Sequence, residues 1–429
     1  MRAAPGAEVR NRPLQRGAVE PIRQLYRVGG SVRDHLLGLP APDRDWVVVG
    51  ETPHTMQARG FIQVGADFPV FLHPDSGEAY ALARQERKTG AGYRGFAASA
   101  APTVRLEEDL ARRDLTINAM AMDENGRIID PFGGEEDLRN RLLRHVSPAF
   151  VEDPLRVLRV ARFLARFWAL GFRVAEETWT LLQRLVAAGE LQTLSVERIW
   201  QETLKALATE HPLAYFDLLQ QCGALAVLFP ELAALIGTPQ PPCHHPEGDV
   251  WQHTRLTLLQ ASRLSDNPQV RFAALLHDVG KGNTPADLLP HHNGHEERGV
   301  ALIERLCDRL RVPTAFRRLA QATARHHLHC HRMAEMRPGT VVRLLMQLNA
   351  LHQPELLQRF VLACQADAQG RPGAEDRPYP QAGMLLRCRE ASVHIDTTPW
   401  RHLQGRALGV ALHRERIRRV RRVLAGLPC

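Results

Sequence analysis

Between Leu25 and about Leu143 the apolar residues come in short runs broken by turn formers, as at Asp45 to Val49, Ala79 to Ala83 and Ile128 to Asp130. This pattern predicts short strands with one or two helices among them. After Glu152 the apolar spacing changes to the helical period and keeps it, for example over 153–168, 176–188 and 196–208, so the remainder is predicted helical. The stretch GTPQPPCHHP at 237–246 holds four prolines and cannot extend a helix. A second cluster of breakers, Gly370 to Pro380, sets the last helices apart. The expected organisation is a flexible extension at 1–22, an α+β head at 23–145, a helical neck and body at 146–236, an all-helical domain at 247–370 and a C-terminal helical region at 371–429.

Composition narrows the class. A chain of 429 residues with 44% apolar content suggests roughly two to four domains. The formal charge of +8, mostly from arginine, fits a polyanionic partner. Seven scattered cysteines without a C-x-x-C pair argue for a reducing compartment, so a cytoplasmic location is expected. No apolar run approaches the roughly 18 residues of a membrane span, and the Arg- and Pro-rich start lacks the core of a secretory signal.

Candidate chemistry begins at 27–45, RVGGSVRDHLLGLPAPDRD. Gly29 and Gly30 leave backbone bare at the start of a helix, where an anion can approach. Arg33, on the first turn, can reach phosphate oxygens, with Asp34 beside it to orient it. Asp43 and Asp45 lie two apart, so in an extended segment both carboxylates project from one face. Such a pair suits Mg²⁺ ions that activate a hydroxyl and hold a leaving pyrophosphate. Together these features point to nucleotidyl transfer.

In 152–163, EDPLRVLRVARF, Arg156, Arg159 and Arg162 each step about 60° around a helix and form one row. Val157, Val160, Ala161 and Leu164 fall opposite, so one stripe packs and the other offers guanidinium groups. Glu152 and Asp153 add acceptors at the N-terminus. Such acceptors beside those donors can hydrogen-bond a base edge.

These segments, with RRDLTINAMAM at 112–122 and DPFGG at 130–134, resemble the nucleotidyltransferase superfamily that includes DNA polymerase β. Within it the chain is similar to the class II, bacterial type of tRNA CCA-adding enzyme fused to an HD phosphohydrolase domain. The resemblance runs from about residue 24 onward. It implies a polymerase-β-like head in which Gly30, Arg33 and Arg113 contact the nucleotide. It also implies that Asp153 and Arg156 select CTP and then ATP without a nucleic-acid template, while Arg159 and Arg162 make further nucleotide contacts. Residues 86–96, ERKTGAGYRGF, resemble the family's flexible catalytic loop, and Glu78 is a candidate third carboxylate. SVERIWQE at 195–202 belongs to the region expected to hold the acceptor end of tRNA.

Downstream, His253, the pair His277–Asp278 in HDVGKG, and Asp367 in QADAQGR resemble the ligand set of HD phosphohydrolases. Neutral imidazole and carboxylate together suit a divalent transition metal that activates water against a phosphoester. His291, His292 and His295 are candidates for supporting contacts, and His327 stands where the resemblance implies an aspartate. Phosphatase, 2′-nucleotidase and 2′,3′-cyclic phosphodiesterase activities, with Ni²⁺ favouring the first, are what the resemblance implies.

The expected function is therefore addition of CCA to the tRNA 3′ end from CTP and ATP, by a monomer or homodimer with no membrane partner. Alternatives are a poly(A) polymerase, a CC-only or A-only adding enzyme, and a non-catalytic RNA-binding factor.

Overall fold

The computed structural model describes residues 22–41, 44–64, 70–88, 96–243 and 245–427. Two compact units divide the chain: Met1–Asn140 with His145–Phe150, and Arg141–Arg144 with Val151–Cys429.

The first unit is built on a mixed sheet. Its strands are β1 (Leu25–Val28), β2 (Asp45–Val48), β3 (Ile62–Val64), β4 (Val70–Leu72), β5 (Ala79–Leu82), β8 (Ala121–Met122) and β9 (Ile128–Ile129), in the order β3-β4-β5-β2-β1-β8-β9. Between β5 and β8 the strands β6 (Gln85–Lys88) and β7 (Phe96–Ser99) pair separately as an antiparallel hairpin. The helices are α1 (Gly30–Leu36), α2 (Pro53–Ala58), α3 (Leu106–Ala111) and α4 (Gly134–Asn140). Alternation along β2 sends Val47 into one core with Val28, Leu106 and Leu110, and Val48 into another with Met56, Phe71 and Tyr80. Both faces of the sheet are thus buried, and Asp45, at the exposed start of β2, lies on the Val47 face.

DPFGG is structural. Asp130 accepts the backbone N–H groups of Gly134 (2.8 Å) and Glu135 (2.9 Å) and so caps α4. A Cβ on Gly134 would lie 2.5 Å from the Thr116 carbonyl oxygen, which only glycine tolerates.

The second unit is helical apart from a small parallel pair, β10 (Leu142–Leu143) with β11 (Arg173–Val174). Its first helices are α5 (Leu155–Phe167), α6 (Glu176–Ala187), α7 (Val196–Leu207), α8 (Leu213–Gln221), α9 (Ala224–Leu228) and α10 (Pro230–Ala233). After the proline-rich stretch come α11 (Val250–Leu264), α12 (Pro268–Leu276), α13 (His295–Arg309), α14 (Thr314–His331), α15 (Pro338–Gln347), α16 (Pro354–Gln369), α17 (Pro380–Val393) and α18 (Gly405–Leu424). Asp249 caps α11 and Asn267 caps α12, whose first residue is a proline suited to that position. The prolines at 237–246 connect elements within one body. Trp251 on α11 donates to Gln220 on α8 (2.6 Å), and Trp200, Phe272 and Phe316 from α7, α12 and α14 meet edge to face. No helix among the described residues is long and apolar enough to cross a membrane.

Candidate active sites

In the head, the end of β1 carries the glycine pair and the start of β2 carries Asp45. The antiparallel register pairs Arg27 with Trp46, so one step further Val28 falls beside Asp45. Gly29 has φ 64° and donates its N–H to the Met120 carbonyl (3.2 Å). A Cβ on Gly29 would lie 2.7 Å from Nη1 of Arg113, and one on Gly30 would lie 3.3 Å from Nη2 of Arg33. The guanidinium groups thus pack closely on both glycines, and at Gly29 the positive φ itself favours glycine. Helix α1 spans only seven residues, so these cations, more than a helix dipole, supply the positive charge here.

Arg33 is 2% exposed, and its Nε donates to Asp34 Oδ1 (2.9 Å). Its Nη1 donates to the Asn118 side-chain oxygen, and Asn118 in turn donates to Asp114 (2.9 Å). Arg113 donates through Nη2 to Asp109 (3.2 Å) and through Nη1 to the Asn118 carbonyl (3.4 Å), while its Nε has no hydrogen-bond partner among the described residues. Asp109, fully buried, also accepts two bonds from Arg112 and the backbone N–H of Arg84. Burial alone would raise the Asp109 pKa, but the guanidinium groups of Arg112 and Arg113 bring it below the ordinary value. Sequence reasoning missed Asp109; its only signal was spacing of three and four residues from two arginines.

Asp43 lies outside the described residues, as do 89–95 of the expected flexible loop. Glu78 requires a correction. It accepts a bond from the Trp46 indole (3.2 Å) and neighbours Arg44, so it belongs to the face of the sheet opposite Asp45 and cannot join it at a metal.

The arginines of α5 do not form an open solvent face. The helix packs against α7 and α8, and Arg156 is only 8% exposed. Arg162 donates through Nε to the buried carboxylate of Glu202 on α7 and lies over the Phe163 ring (4.2 Å). Arg159 lies 5.7 Å from the same ring. Asp153 caps the helix start through Leu155 N–H (3.1 Å) and accepts a bond from Arg198 on α7 (2.7 Å). Arg198 and Glu202, both within SVERIWQE, thus hold Asp153 and Arg162, two of the residues expected to contact the nucleotide.

The third constellation is buried among α11, α12, α14 and α16. His253, His277, Asp278 and Asp367 are each 3% exposed or less. Asp367 Oδ1 lies 3.0 Å from His253 Nε2 and 3.6 Å from His277 Nε2, which is itself 3.2 Å from Asp278 Oδ2. Nδ1 of His277 meets the Ala274 carbonyl (2.8 Å), which can only accept, so the proton sits on Nδ1 and the Nε2 lone pair faces inward. Nδ1 of His253 lies 2.8 Å from Glu247, an acidic neighbour missed in the sequence. His331 adds Nε2 at 2.7 Å from Asp367 Oδ2, and Lys281 adds its ammonium at 2.6 Å from Asp278 Oδ2. Without an ion, burial opposes charge on His277, yet Asp278 and Asp367 outweigh it and raise its pKa to about 8, so near neutral pH an ion binds at Nε2 by displacing a proton. Both carboxylates are held well below the usual range despite burial, by Lys281 and His277 at Asp278 and by His277 and His331 at Asp367.

Among the described residues, His277 Nε2 and Asp278 Oδ1 are buried and make no hydrogen bond of good geometry. Orphaned lone pairs converging in a dry centre, with ligand atoms of His253, His277 and Asp367 within 4.8 Å of one another, fit a divalent cation. Of the three histidines expected to support the site, only His295 reaches it. His291 is exposed, and His292 is used by Thr284 (2.7 Å) and the Pro239 carbonyl (3.0 Å). The first glycine of HDVGKG is explained by a Cβ that would lie 1.9 Å from the His295 carbonyl oxygen. A cavity of about 250 Å³ lined by His331, Arg371, Arg377 and Tyr379 opens beside Asp367 and offers cationic groups to an anionic substrate.

Comparison with known proteins gives three family matches: a poly A polymerase head domain at residues 25–144, a probable RNA and SrmB-binding site of polymerase A at 171–236, and an HD domain at 250–368. The multifunctional CCA protein of Thioalkalivibrio sulfidiphilus is 57% identical over 404 residues, covering 94% of this chain and 99% of the relative. That of Methylococcus capsulatus is 58% identical over 405 residues, covering 94% and 95%. Among solved structures, a CCA-adding enzyme in complex with ATP aligns with TM-score 0.63 at 20% identity, covering 92% of this chain and 85% of that one. The Thermotoga maritima CCA-adding enzyme complexed with tRNA aligns at 0.61 and 21%, covering 94% and 91%. These distant structures share the fold, and the close relatives settle the family: the chain belongs to the multifunctional CCA proteins.

Proposed function

We propose that this chain adds CCA to the 3′ end of tRNA from CTP and ATP, and that its HD region hydrolyses phosphoesters. The observation that carries the first part is the pair of guanidinium groups, Arg33 and Arg113, packed on Gly29 and Gly30 at the sheet end that bears Asp45. In the reaction the terminal ribose hydroxyl of tRNA attacks the α-phosphorus, the bond to the β-phosphate bridging oxygen breaks, and pyrophosphate leaves. Asp43 and Asp45 would hold Mg²⁺, a hard cation suited to carboxylate oxygens, which supplies charge neutralisation at the reacting phosphate. Arg113 reaches the triphosphate, while Gly30 and the buried Arg33 shape and stiffen its seat.

Asp153 and Arg156 would read the base edge, and Arg159 and Arg162 would hold the nucleotide. Arg198 and Glu202 act as positioning residues, since they fix Asp153 and Arg162 before any nucleotide arrives.

In the HD region His253, His277, Asp278 and Asp367 would hold a transition ion, Ni²⁺ being a suitable one, that supplies an activated water. Arg371 and Arg377 would pair with the substrate phosphate, and the products are a phosphate or phosphomonoester and an alcohol. A cytoplasmic setting suits both activities and the absence of disulfides among the described cysteines.

Sequencing of products made from tRNA lacking its 3′ CCA, with Mg²⁺ and either or both nucleotides, tests the main reading. CTP alone should give two added residues and both nucleotides three. Long adenosine tails from ATP alone would favour a poly(A) polymerase, and no extension at all would leave an RNA-binding factor.

A further inference from the structure

The excess positive charge of the chain is gathered at its C-terminal end. Residues 371–429 hold twelve arginines, no lysine and five acids, and so supply seven of the eight net positive charges. Seven of these arginines lie on α18 against a single acid, Glu415. They divide by role. Arg416 and Arg419 donate to the carbonyls of Ser392 (3.2 Å) and His394 (2.6 Å) at the end of α17, and so fasten the helix there. Arg418 donates to both oxygens of Glu415 (2.7 and 2.6 Å). The side chains of Arg406, Arg414, Arg421 and Arg422 make no hydrogen bond or ion pair among the described residues.

Helix energetics alone do not account for this set. Arg421 and Arg422, in the last turn, suit the negative end of the helix dipole, whereas Arg406 and Arg414 lie in the first half. Arg414, Arg418 and Arg421, at spacings of four and three, share one exposed face, where like charges repel unless an anion lies across them. The apolar residues are already used inward: Val420 is buried, and Ile417 lies against Gly339 of α15, where a Cβ would be 3.6 Å away. With that stripe packed inside, the helix has little to insert into a lipid surface. Guanidinium forks along one edge match the repeating phosphates of a nucleic-acid strand.

The position of α18 narrows the occupant further. Tyr379 and Pro380, at the start of α17, line the cavity beside Asp367 together with Arg371 and Arg377. At 1.5 Å per residue the 14 residues of α17 span about 21 Å, so the end where Arg416 and Arg419 fasten α18 is beyond the reach of a mononucleotide in that cavity. A polynucleotide can bridge the span. We propose that the HD site acts on the phosphorylated 3′ end of an RNA strand, and that Arg414, Arg421 and Arg422 on α18 hold the phosphates of that strand further from its end. This rests on the phosphoesterase reading of the HD region and names its substrate class. At a 2′,3′-cyclic end, which needs the 2′-hydroxyl of RNA, water adds to the phosphorus and one ring P–O bond breaks. The freed ribose oxygen takes a proton of that water, leaving a terminal phosphomonoester.

The test compares hydrolysis of 2′,3′-cyclic AMP with that of truncated tRNA ending in a 2′,3′-cyclic phosphate, for the full chain and for a variant combining Arg414→Gln, Arg421→Gln and Arg422→Gln. In the wild type the KM should be at least ~10-fold lower for the RNA, because a second contact raises the effective concentration of its end. In the variant most of that advantage should vanish and the slope of log KM against log salt should drop by about two, while cyclic AMP hydrolysis stays within about twofold. Unchanged cyclic AMP hydrolysis also shows that the variant is folded; if it falls, Arg414→Gln alone carries the test, with an expected slope change of about 0.7. An RNA KM no lower than that of cyclic AMP, or one untouched by the substitutions, overturns the proposal and leaves the HD reading standing. No hydrolysis of either substrate by the wild type overturns both. Loss of binding to phosphatidylserine vesicles with RNA kinetics unchanged also overturns it and gives α18 to a lipid surface.

Discussion

The head and the HD cluster solve the problem of handling phosphate in opposite ways. In the head the charged side chains already satisfy one another: Arg33 binds Asp34 and Asn118, Arg113 binds Asp109, and the glycines between them provide room. Asp45 stands exposed at the start of its strand. In the HD cluster the side chains are buried, yet several of their inward atoms make no hydrogen bond of good geometry among the described residues. A prearranged cationic seat can accept and release a triphosphate repeatedly without losing its shape, because its own hydrogen bonds hold it. A cluster of orphaned lone pairs is incomplete without an ion, so metal binding there is coupled to stability as well as to chemistry.

Substitutions can break or sharpen this contrast. His277→Ala should reduce cyclic phosphodiesterase activity by at least ~100-fold, since even outer-shell changes at metal sites cost about 10–100-fold; CMP incorporation should stay within about twofold of wild type. Gly280→Ala forces a methyl group into the His295 backbone and should cost about 1–3 kcal/mol, seen as a lowered Tm and lost hydrolysis with nucleotide addition preserved at low temperature. Asp109→Asn leaves the guanidinium groups of Arg112 and Arg113 without their anion. It should raise the KM for CTP about tenfold, or ~1.4 kcal/mol, in steady-state assays that leave hydrolysis unchanged. Asp130→Ala removes the cap of α4 and should cost about 1 kcal/mol, visible as a Tm shift of about 2–4 °C and no change in KM for either activity.

The glycine pair, Arg33 and Asp45 were legible as one cluster because they sit in one short segment whose spacing encodes a strand and a turn. The mixed head followed by helices was legible for the same reason, from the change of apolar period after Glu152. Partners that act across the fold were not. Asp109 looks like any acid on an exposed helix until burial is known, and Arg198 lies far from Asp153 in sequence. The arginines of α5 follow an amphipathic pattern that ordinarily means a solvent face, yet Glu202 on a neighbouring helix supplies the countercharge that lets Arg162 pack inward. In the HD cluster the dipeptide marked the place, but which of the surrounding histidines face it depends on backbone carbonyls that fix each ring. His292 and His295, three residues apart, end in different roles for that reason.

The separation of the two sites is tested most directly by assaying Asp45→Ala for CMP incorporation into truncated tRNA and for 2′,3′-cyclic phosphate hydrolysis in one preparation. Incorporation should fall at least ~100-fold while hydrolysis stays within about twofold. A folded variant, with unchanged Tm, that loses both activities or keeps incorporation would contradict a separate head site built on this carboxylate.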